Sequence, residues 1–266
     1  MALPRPTLIE FDRVSLGFDA QPVLEDVSFA VRRSETKVLL GETGAGKSVV
    51  LKLAIGLLRP DAGRVEVLGE AVSRLPEREL YALRRRIGIV FQESALFDSL
   101  TVRDNVAYRL EEERRLSEDE IEARVRACLA AVELEEAIDK MPAELSGGMQ
   151  RRVSIARALS TEPEILLYDS PTGGLDPITA TNIMEQIIRL RDVNRVTALL
   201  VTHRLQDGFL MATHCWDPEA NALRAAAADD HATSFLVLHQ RRVLFDGRLQ
   251  ALRASGDSYL KQFLAI

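Results

Sequence analysis

The sequence predicts an α/β fold with a mostly parallel sheet, an antiparallel β-subdomain at its N-terminal side and an inserted helical subdomain. Continuous apolar runs are typical of parallel strands that are buried on both faces. These runs are residues 38–40, 87–91, 165–168 and 197–201. Alternating apolar and polar residues are typical of half-exposed antiparallel strands. This alternation is found in residues 8–11, 14–18, 27–31 and 64–68, with breaks at Asp12-Arg13 and Gln21-Pro22.

The composition indicates a globular chain of one large or two small domains. Its 266 residues are 47% hydrophobic and 28% charged. The net charge is −6, so the composition does not indicate nucleic acid as a partner. Cys128 and Cys215 are too few for a disulfide framework or a zinc site. No apolar run approaches the roughly 20 residues needed to cross a bilayer, so we expect any membrane role to depend on a partner.

A glycine-rich turn, residues 41–48, joins the first apolar run to a helical pattern and has the form G-x-x-x-x-G-K-[ST]. Its glycines let consecutive backbone N–H groups surround an oxyanion, and the following helix directs its positive end there. Lys47 would supply a charge to the β- and γ-phosphates and Ser48 a ligand for Mg²⁺. The alternative is a turn without a ligand. The expected binding residues are Gly41, Gly44, Ala45, Gly46, Lys47, Ser48 and Val49.

The segment between residues 91 and 165 is long, charged and helical in pattern. Ser117 and Glu120 form a capping box, and the apolar residues after it recur at helical spacing. Residues 145–150 (Leu-Ser-Gly-Gly-Met-Gln) begin another helix and offer a second potential anion site. The glycine-rich turn at residues 41–48, a P-loop, also occurs in kinases, GTPases and motor ATPases, so by itself it does not identify the class of protein. The second motif reduces the number of protein classes that fit.

The C-terminal third changes character. Residues 214–231 have no clear period and predict a loop or a weakly ordered insertion. Residues 235–238 and 242–245 predict a terminal hairpin, and residues 249–263 a final amphipathic segment.

The motif at residues 145–150 resembles the signature of the ATP-binding subunits of ABC transporters, and the resemblance extends from about residue 8 to 247. In that family two subunits pair head to tail, and the signature of one closes on the ATP·Mg²⁺ held by the other. Ser146 and Gly148 would do this here in a homodimer. The resemblance implies that Phe18 stacks on adenine and that Gln92 is the Q-loop glutamine, which lies near Mg²⁺ and the attacking water. It also implies that Asp169 is the Walker B ligand of Mg²⁺, that Asp176 belongs to the D-loop and that His203 is the switch histidine.

One position departs from the family pattern. The family has a glutamate after the Walker B aspartate, where this chain has Ser170. A serine hydroxyl is neutral near pH 7 and can orient a water without usefully accepting its proton. The chain is therefore a slow ATPase that cycles by ATP-driven closure, a half whose partner carries the glutamate, or a sequence engineered at this position.

Residues 91–106 are similar to the ATPases of Mla-type systems, which move phospholipids between bacterial membranes with a permease and an MCE-domain protein. The resemblance implies a cytoplasmic subunit held at the inner membrane by its permease. Leu96, Phe97 and Leu100 would anchor a coupling helix of the permease, although packing between subdomains explains them almost as well. The rival functions are an ABC subunit for another substrate and a hydrolysis-poor regulator or scaffold.

The expected organisation is one ATP-binding domain at residues 7–250, with the helical subdomain inserted at about 94–160, followed by a C-terminal segment at 251–266.

Overall fold

The computed structural model describes residues 5–19, 21–226 and 233–264. The strands are β1 (Thr7–Phe18), β2 (Gln21–Arg32), β3 (Thr36–Gly41), β4 (Ala62–Val67), β5 (Glu70–Ala71), β6 (Ile87–Val90), β7 (Ile165–Asp169), β8 (Thr197–Val201), β9 (His214–Asp217), β10 (Ala222–Ala225), β11 (Thr233–His239) and β12 (Arg242–Gly247). The helices are α1 (Lys47–Ala54), α2 (Glu77–Arg84), α3 (Val102–Glu113), α4 (Glu118–Ala131), α5 (Gly147–Leu159), α6 (Pro177–Asn194), α7 (Leu205–Thr213), α8 (Leu249–Arg253) and α9 (Ser258–Leu264).

The central sheet has six strands in the order β12-β11-β3-β8-β7-β6. All neighbouring pairs are parallel except the edge pair of β11 and β12. Strands β3 and β8 are buried along their whole lengths, as their continuous apolar sequences predict. The predicted mostly parallel sheet and terminal hairpin are confirmed, and the carboxyl ends of β3, β6, β7 and β8 come to one edge.

The antiparallel subdomain is a second sheet in the order β2-β1-β4-β5. The alternating pattern predicts two short strands at its start, but β1 is a single strand with an irregular register between Phe11 and Val14. Arg13 adopts a left-handed backbone (φ 49°), and its N–H donates to Ser28 Oγ at 2.8 Å. A bulge closed by a side chain on the neighbouring strand therefore continues the strand where the sequence suggested a break.

The helical insertion between β6 and β7 contains α3, α4 and α5. The predicted capping box is present at the start of α4, where Ser117 Oγ accepts from the Glu120 N–H at 3.3 Å and Glu120 Oε2 accepts from the Ser117 N–H at 2.7 Å. Val125 and Leu129 are fully buried on the inner face of α4. Local sequence was therefore sufficient to predict this helix.

The prediction of a loop at residues 214–231 is wrong over its first part, because β9 and β10 form an antiparallel hairpin there. The hairpin packs against α6: the Trp216 N–H donates to Asp192 Oδ2 at 2.8 Å, and the Arg189 guanidinium lies 5.0 Å from the centre of the Trp216 ring. Because Asp192 and Arg189 are distant in sequence from Trp216, the pattern of apolar residues within the hairpin does not indicate these contacts. Residues 227–231 lie outside the described part of the chain.

The C-terminal segment is two short helices, in which Leu252 and Leu260 are buried in the same hydrophobic cluster as Val237 of β11. Tyr259 stacks on His239 with ring centres 3.6 Å apart, and its hydroxyl donates to Glu42 Oε1 at 3.1 Å. Within the described residues, no helix combines the length and the apolar character that crossing a membrane requires.

Candidate nucleotide-binding site

The P-loop, residues 41–48, runs from the end of β3 into α1 and requires glycine at two points that the structure makes plain. Gly41 has φ 154°, and a Cβ there would lie 2.6 Å from the Leu238 carbonyl oxygen. Gly46 has φ 89°, and a Cβ there would lie 2.8 Å from Leu24 Cδ2. Both positions therefore exclude a side chain by conformation and by space, and the loop stays close to β2 and β11.

Lys47 lies in the first turn of α1 with only 9% of its surface exposed. Its Nζ donates to the backbone oxygens of Gly41 at 2.8 Å and Glu42 at 2.7 Å. Burial lowers the pKa of Lys47, and the charges of Asp169 and Glu42 oppose that shift. The ammonium group is thus held over the loop, where a phosphate would complete its neutralisation.

Ser48 and Asp169 meet across the end of the parallel sheet, because the Ser48 hydroxyl donates to Asp169 Oδ1 at 3.2 Å. A hydroxyl and a carboxylate are oxygen ligands that suit Mg²⁺, which usually binds one or two carboxylates together with substrate phosphates. Among the residues described, no group of three or more His, Cys, Asp or Glu side chains could hold a metal unaided. The donor set therefore fits Mg²⁺ that arrives with a nucleotide.

Gln92 and Ser170 lie beside the same tight turn. The Gly173 N–H donates to the Ser170 carbonyl at 2.9 Å, and a Cβ on Gly173 would lie 3.2 Å from Gln92 Cγ. Ser170 is itself 6% exposed, has φ 47°, and donates its N–H to the Val201 carbonyl at 2.8 Å. The serine is therefore fixed by its backbone to the end of β8, and the turn that it begins lies beside Gln92.

His203 is exposed two residues after β8, and the loop that carries it is held by Asp207, which sequence reasoning missed. Asp207 Oδ2 accepts from the hydroxyls of Thr172 and Thr202, the latter at 2.9 Å. Burial raises the pKa of Asp207, while both hydroxyls and Arg204 oppose the shift. This carboxylate joins the turn after Ser170 to the residue before His203. An acidic residue in the first turn of α7 was its only sequence signal.

The remaining predicted phosphate contacts, Ser146 and Gly148, lie at the start of α5 beside Asp176; we call these three residues the signature cluster. Ser146 Oγ accepts from the Met149 N–H at 3.3 Å and caps α5. A Cβ on Gly148 would lie 2.5 Å from Thr179 Cγ2, so α5 touches the start of α6 there. Within the described residues, no hydrogen bond joins positions 146–148 to the P-loop.

Asp176 caps α6, where its Oδ1 accepts from the N–H groups of Ile178 and Thr179 at 3.1 and 3.0 Å. Hydrogen bonding to Thr179, from both its side chain and its backbone, keeps the pKa of Asp176 below its ordinary value. Ile178 beside it has 76% of its surface exposed. The signature cluster therefore borders an exposed apolar side chain.

Phe18 ends β1 in the hairpin with β2, opposite Gln21, and is 45% exposed. The same β2 strand reaches the P-loop, because a Cβ on Gly46 would contact Leu24 and Val23. The aromatic ring is therefore carried by a hairpin whose other strand borders the P-loop.

The loop after Gln92 is held by a fully buried amide. Asn105 Oδ1 accepts from the Phe97 N–H at 2.8 Å, and its Nδ2 donates to the carbonyls of Phe97, Leu100 and Thr101 at 3.0–3.1 Å. Phe97 remains 41% exposed, with its ring 4.6 Å from that of the half-exposed Tyr108, whereas Leu96 and Leu100 are partly buried. A loop held by the hydrogen bonds of Asn105 thus presents exposed aromatic side chains after Gln92.

The strand–loop–helix cradle and the paired Ser48 and Asp169 define a P-loop nucleotide-binding protein. Residues 24–173 match the model of the family described as ABC transporter, and the chain belongs to this family.

Relatives and a solved structure agree with this assignment. The protein TRIGALACTOSYLDIACYLGLYCEROL 3, chloroplastic, of Arabidopsis thaliana is 37% identical over 264 residues, or 96% of this chain and 73% of that relative. The intermembrane phospholipid transport system ATP-binding protein MlaF of Escherichia coli strain K12 is 32% identical over 257 residues, or 97% of this chain and 88% of that relative. A dimeric ATP-binding cassette in a post-hydrolysis state with ADP and phosphate superposes with a TM-score of 0.75 at 28% identity, covering 91% of this chain and 99% of that chain. The resemblance to Mla-type ABC ATPases is therefore confirmed.

Proposed function

We propose that this chain is the ATP-binding subunit of a phospholipid transporter of the Mla type. The single observation that carries the proposal is the P-loop, with Lys47 held over it and the hydroxyl of Ser48 bonded to Asp169 at 3.2 Å. The similarity to MlaF, whose name describes intermembrane phospholipid transport, supports the choice of cargo.

ATP with Mg²⁺ is the proposed ligand. The phosphates would be bound by the backbone from Gly41 to Val49 and by the Lys47 ammonium. Phe18 would stack on the base. Ser48, Asp169 and Gln92 would hold Mg²⁺, which neutralises phosphate charge when bound. The P-loop's left-handed glycines and buried lysine support a preformed site.

Hydrolysis is the step on which Ser170 bears. Members of the ABC family are ATPases in general, but the position after the Walker B aspartate here carries no carboxylate. Gln92 and His203 would position water, because phosphoryl transfer depends chiefly on positioning and charge stabilisation. Ser170 would orient that water without removing its proton, so we propose slow turnover.

We propose that two copies close head to tail on two nucleotides. The signature cluster would complete the site of the other copy, with Ser146 and Gly148 near the γ-phosphate and Asp176 at the interface. The 76% exposure of Ile178 beside Asp176 and the dimeric state of the similar cassette support this arrangement.

A transmembrane permease would place the subunit on the cytoplasmic side of the inner membrane, and an MCE-type protein would receive or supply lipid. The exposed pair of Phe97 and Tyr108, on a loop fixed by Asn105, supports a docking surface for the permease. We also propose the domain bounds 7–250, with the helical subdomain at about 94–160, and a C-terminal segment at 251–266.

Measuring ATP hydrolysis by the purified chain, with and without its co-purifying permease, tests the proposal. We expect turnover above that of Lys47→Ala in the complex. Turnover equal to that control in both preparations would favour the rival function, an ATP-binding regulator or scaffold. Co-purification with an amino-acid or lipoprotein permease would instead favour an ABC ATPase for a different substrate.

A further inference from the structure

The second turn of α5 carries a buried arginine whose guanidinium hydrogen-bonds to backbone carbonyls and, among the described residues, to no carboxylate. Arg151 is 4% exposed. Its Nη1 donates to the Phe91 carbonyl at 2.8 Å and its Nη2 to the Gly173 carbonyl at 3.4 Å. One guanidinium therefore joins α5 to the end of β6 and to the turn that begins at Ser170.

A second arginine on α5 holds the next part of the same segment. Arg157 Nη1 donates to the Ala95 carbonyl at 2.8 Å and Nη2 to the Ser94 carbonyl at 3.0 Å, and the guanidinium lies 5.9 Å from the centre of the Phe97 ring. The two side chains together contact residues 91–95, which we call the Q-loop segment.

The Q-loop segment needs such support because its backbone is strained. Ser94 has φ 61° and Ala95 has φ 48°, two consecutive residues with side chains in the left-handed region. Such residues persist only where the surrounding structure fixes them. The carbonyls of these two residues are the acceptors that Arg157 uses.

Placing both charges here is costly. Burial lowers the pKa of Arg151 and of Arg157, although the charge of Glu93 opposes the shift at Arg151. Among the described residues both guanidinium groups hydrogen-bond to backbone carbonyls and neither to a carboxylate. A planar guanidinium donates to two carbonyls from two different nitrogens held in a fixed fork, which the single nitrogen of a lysine ammonium cannot do. The arrangement is thus specific to arginine and directed at the backbone on both sides of Gln92.

We propose that Arg151 and Arg157 are positioning residues that couple the signature helix α5 to Gln92. Movement of α5 is transmitted through the two guanidinium groups to the Q-loop segment, and from there to Phe97 on the exposed loop. The effect of this coupling on turnover rests on the proposed function. The contacts of the two arginines with the Q-loop segment do not depend on hydrolysis.

Hydrogen–deuterium exchange of residues 91–97 in Arg151→Lys and Arg157→Lys tests this coupling. We expect amide exchange there to become at least tenfold faster in each variant. The matched control is Arg126→Lys, which alters an exposed arginine paired with Glu122 on α4 and leaves exchange of the Q-loop segment unchanged. Equal exchange in the wild type and in Arg157→Lys would overturn the proposal, and Arg157, which is only partly buried, keeps the test valid if Arg151→Lys fails to fold.

The kinetic readout separates positioning from general damage. We expect each lysine variant to lower kcat about tenfold while KM for ATP and the melting temperature stay near the wild-type values, because the P-loop still binds the nucleotide. A rise in KM with kcat unchanged would overturn the coupling. Wild-type turnover equal to that of Lys47→Ala would contradict the proposed function alone, and exchange of residues 91–97 would then decide the coupling.

Discussion

The P-loop and the signature cluster are both glycine-rich entries to a helix, yet they are built differently. Two P-loop glycines, Gly41 and Gly46, have positive φ and touch neighbouring strands, and Lys47 is buried beside them. The signature cluster has Ser146 and Asp176 bonded to the N–H groups of their own helices, next to an exposed Ile178. We propose that the first region holds the nucleotide phosphates within a single chain, and that the second region is covered by a second chain.

The largest expected effect is on the affinity for ATP, which we expect to depend on the P-loop of the single chain. Lys47→Ala removes the charge held over the P-loop, and we expect ATP to bind at least 100-fold more weakly by isothermal titration calorimetry, on the order of 2.7 kcal/mol. Lys52→Ala, an exposed lysine of the same helix, is the matched control and should bind ATP as the wild type does. Equal affinities in all three proteins would show that the P-loop does not bind the nucleotide through Lys47.

The next effect concerns chemistry at the P-loop side. Ser170→Glu restores the carboxylate that the family places there, and we expect ATP turnover to rise at least tenfold, or about 1.4 kcal/mol of barrier. Ser170→Ala controls for the change of side chain without adding a base and should not accelerate turnover. An unchanged rate in Ser170→Glu would mean that another residue limits the reaction.

A smaller effect is expected in stability, at the contact between α5 and α6. Gly148→Ala places a Cβ 2.5 Å from Thr179 Cγ2, whereas Gly147→Ala places one 3.7 Å from Leu175 Cδ2. We expect the first variant to lose at least about 1 kcal/mol of unfolding free energy from overpacking, and the second to lose none. Urea unfolding measures both, and an equal loss in the two variants would refute this packing argument.

The smallest effect is a pH dependence at Asp176. Its pKa is lowered in the folded state, so its contribution to stability is present above the unfolded pKa of about 3.9 and is lost as pH falls through the folded pKa. Asp176→Ala should therefore lower the melting temperature most near pH 7 and least near pH 2. Asp176→Asn keeps a capping oxygen without the charge, and a pH dependence equal to that of the wild type in this variant would exclude the ionic contribution.

Elements with local signals were predictable from the sequence. The capping box at Ser117, the buried runs that became β3 and β8, and the hairpin of β11 and β12 all rest on short-range patterns. The hairpin of β9 and β10 was missed because its support comes from Asp192 and Arg189 on a distant helix. Periodicity within a segment carries no information on such partners.

The candidate site divides in the same way. The P-loop and the residues at strand ends were predicted from motif and resemblance, and the proximity of Ser48 to Asp169 agrees with that reading. Asp207 and Arg151 could not be predicted, because their importance lies in contacts with Thr172, Phe91 and other residues far along the chain. A buried charge is recognised only when its burial is known.

Mixing two defective chains tests the composite site most directly. The Lys47→Ala chain lacks the P-loop charge, and the Ser146→Glu chain has a negative charge where the signature would meet a phosphate. We expect each chain alone to remain monomeric in the presence of ATP and Mg²⁺, as measured by light scattering after size-exclusion chromatography. An equimolar mixture assembles one intact site from the two chains, and we predict that it forms dimers, as the wild type does. A mixture that remains monomeric while the wild type dimerises, or a wild type that stays monomeric with ATP, would contradict the account.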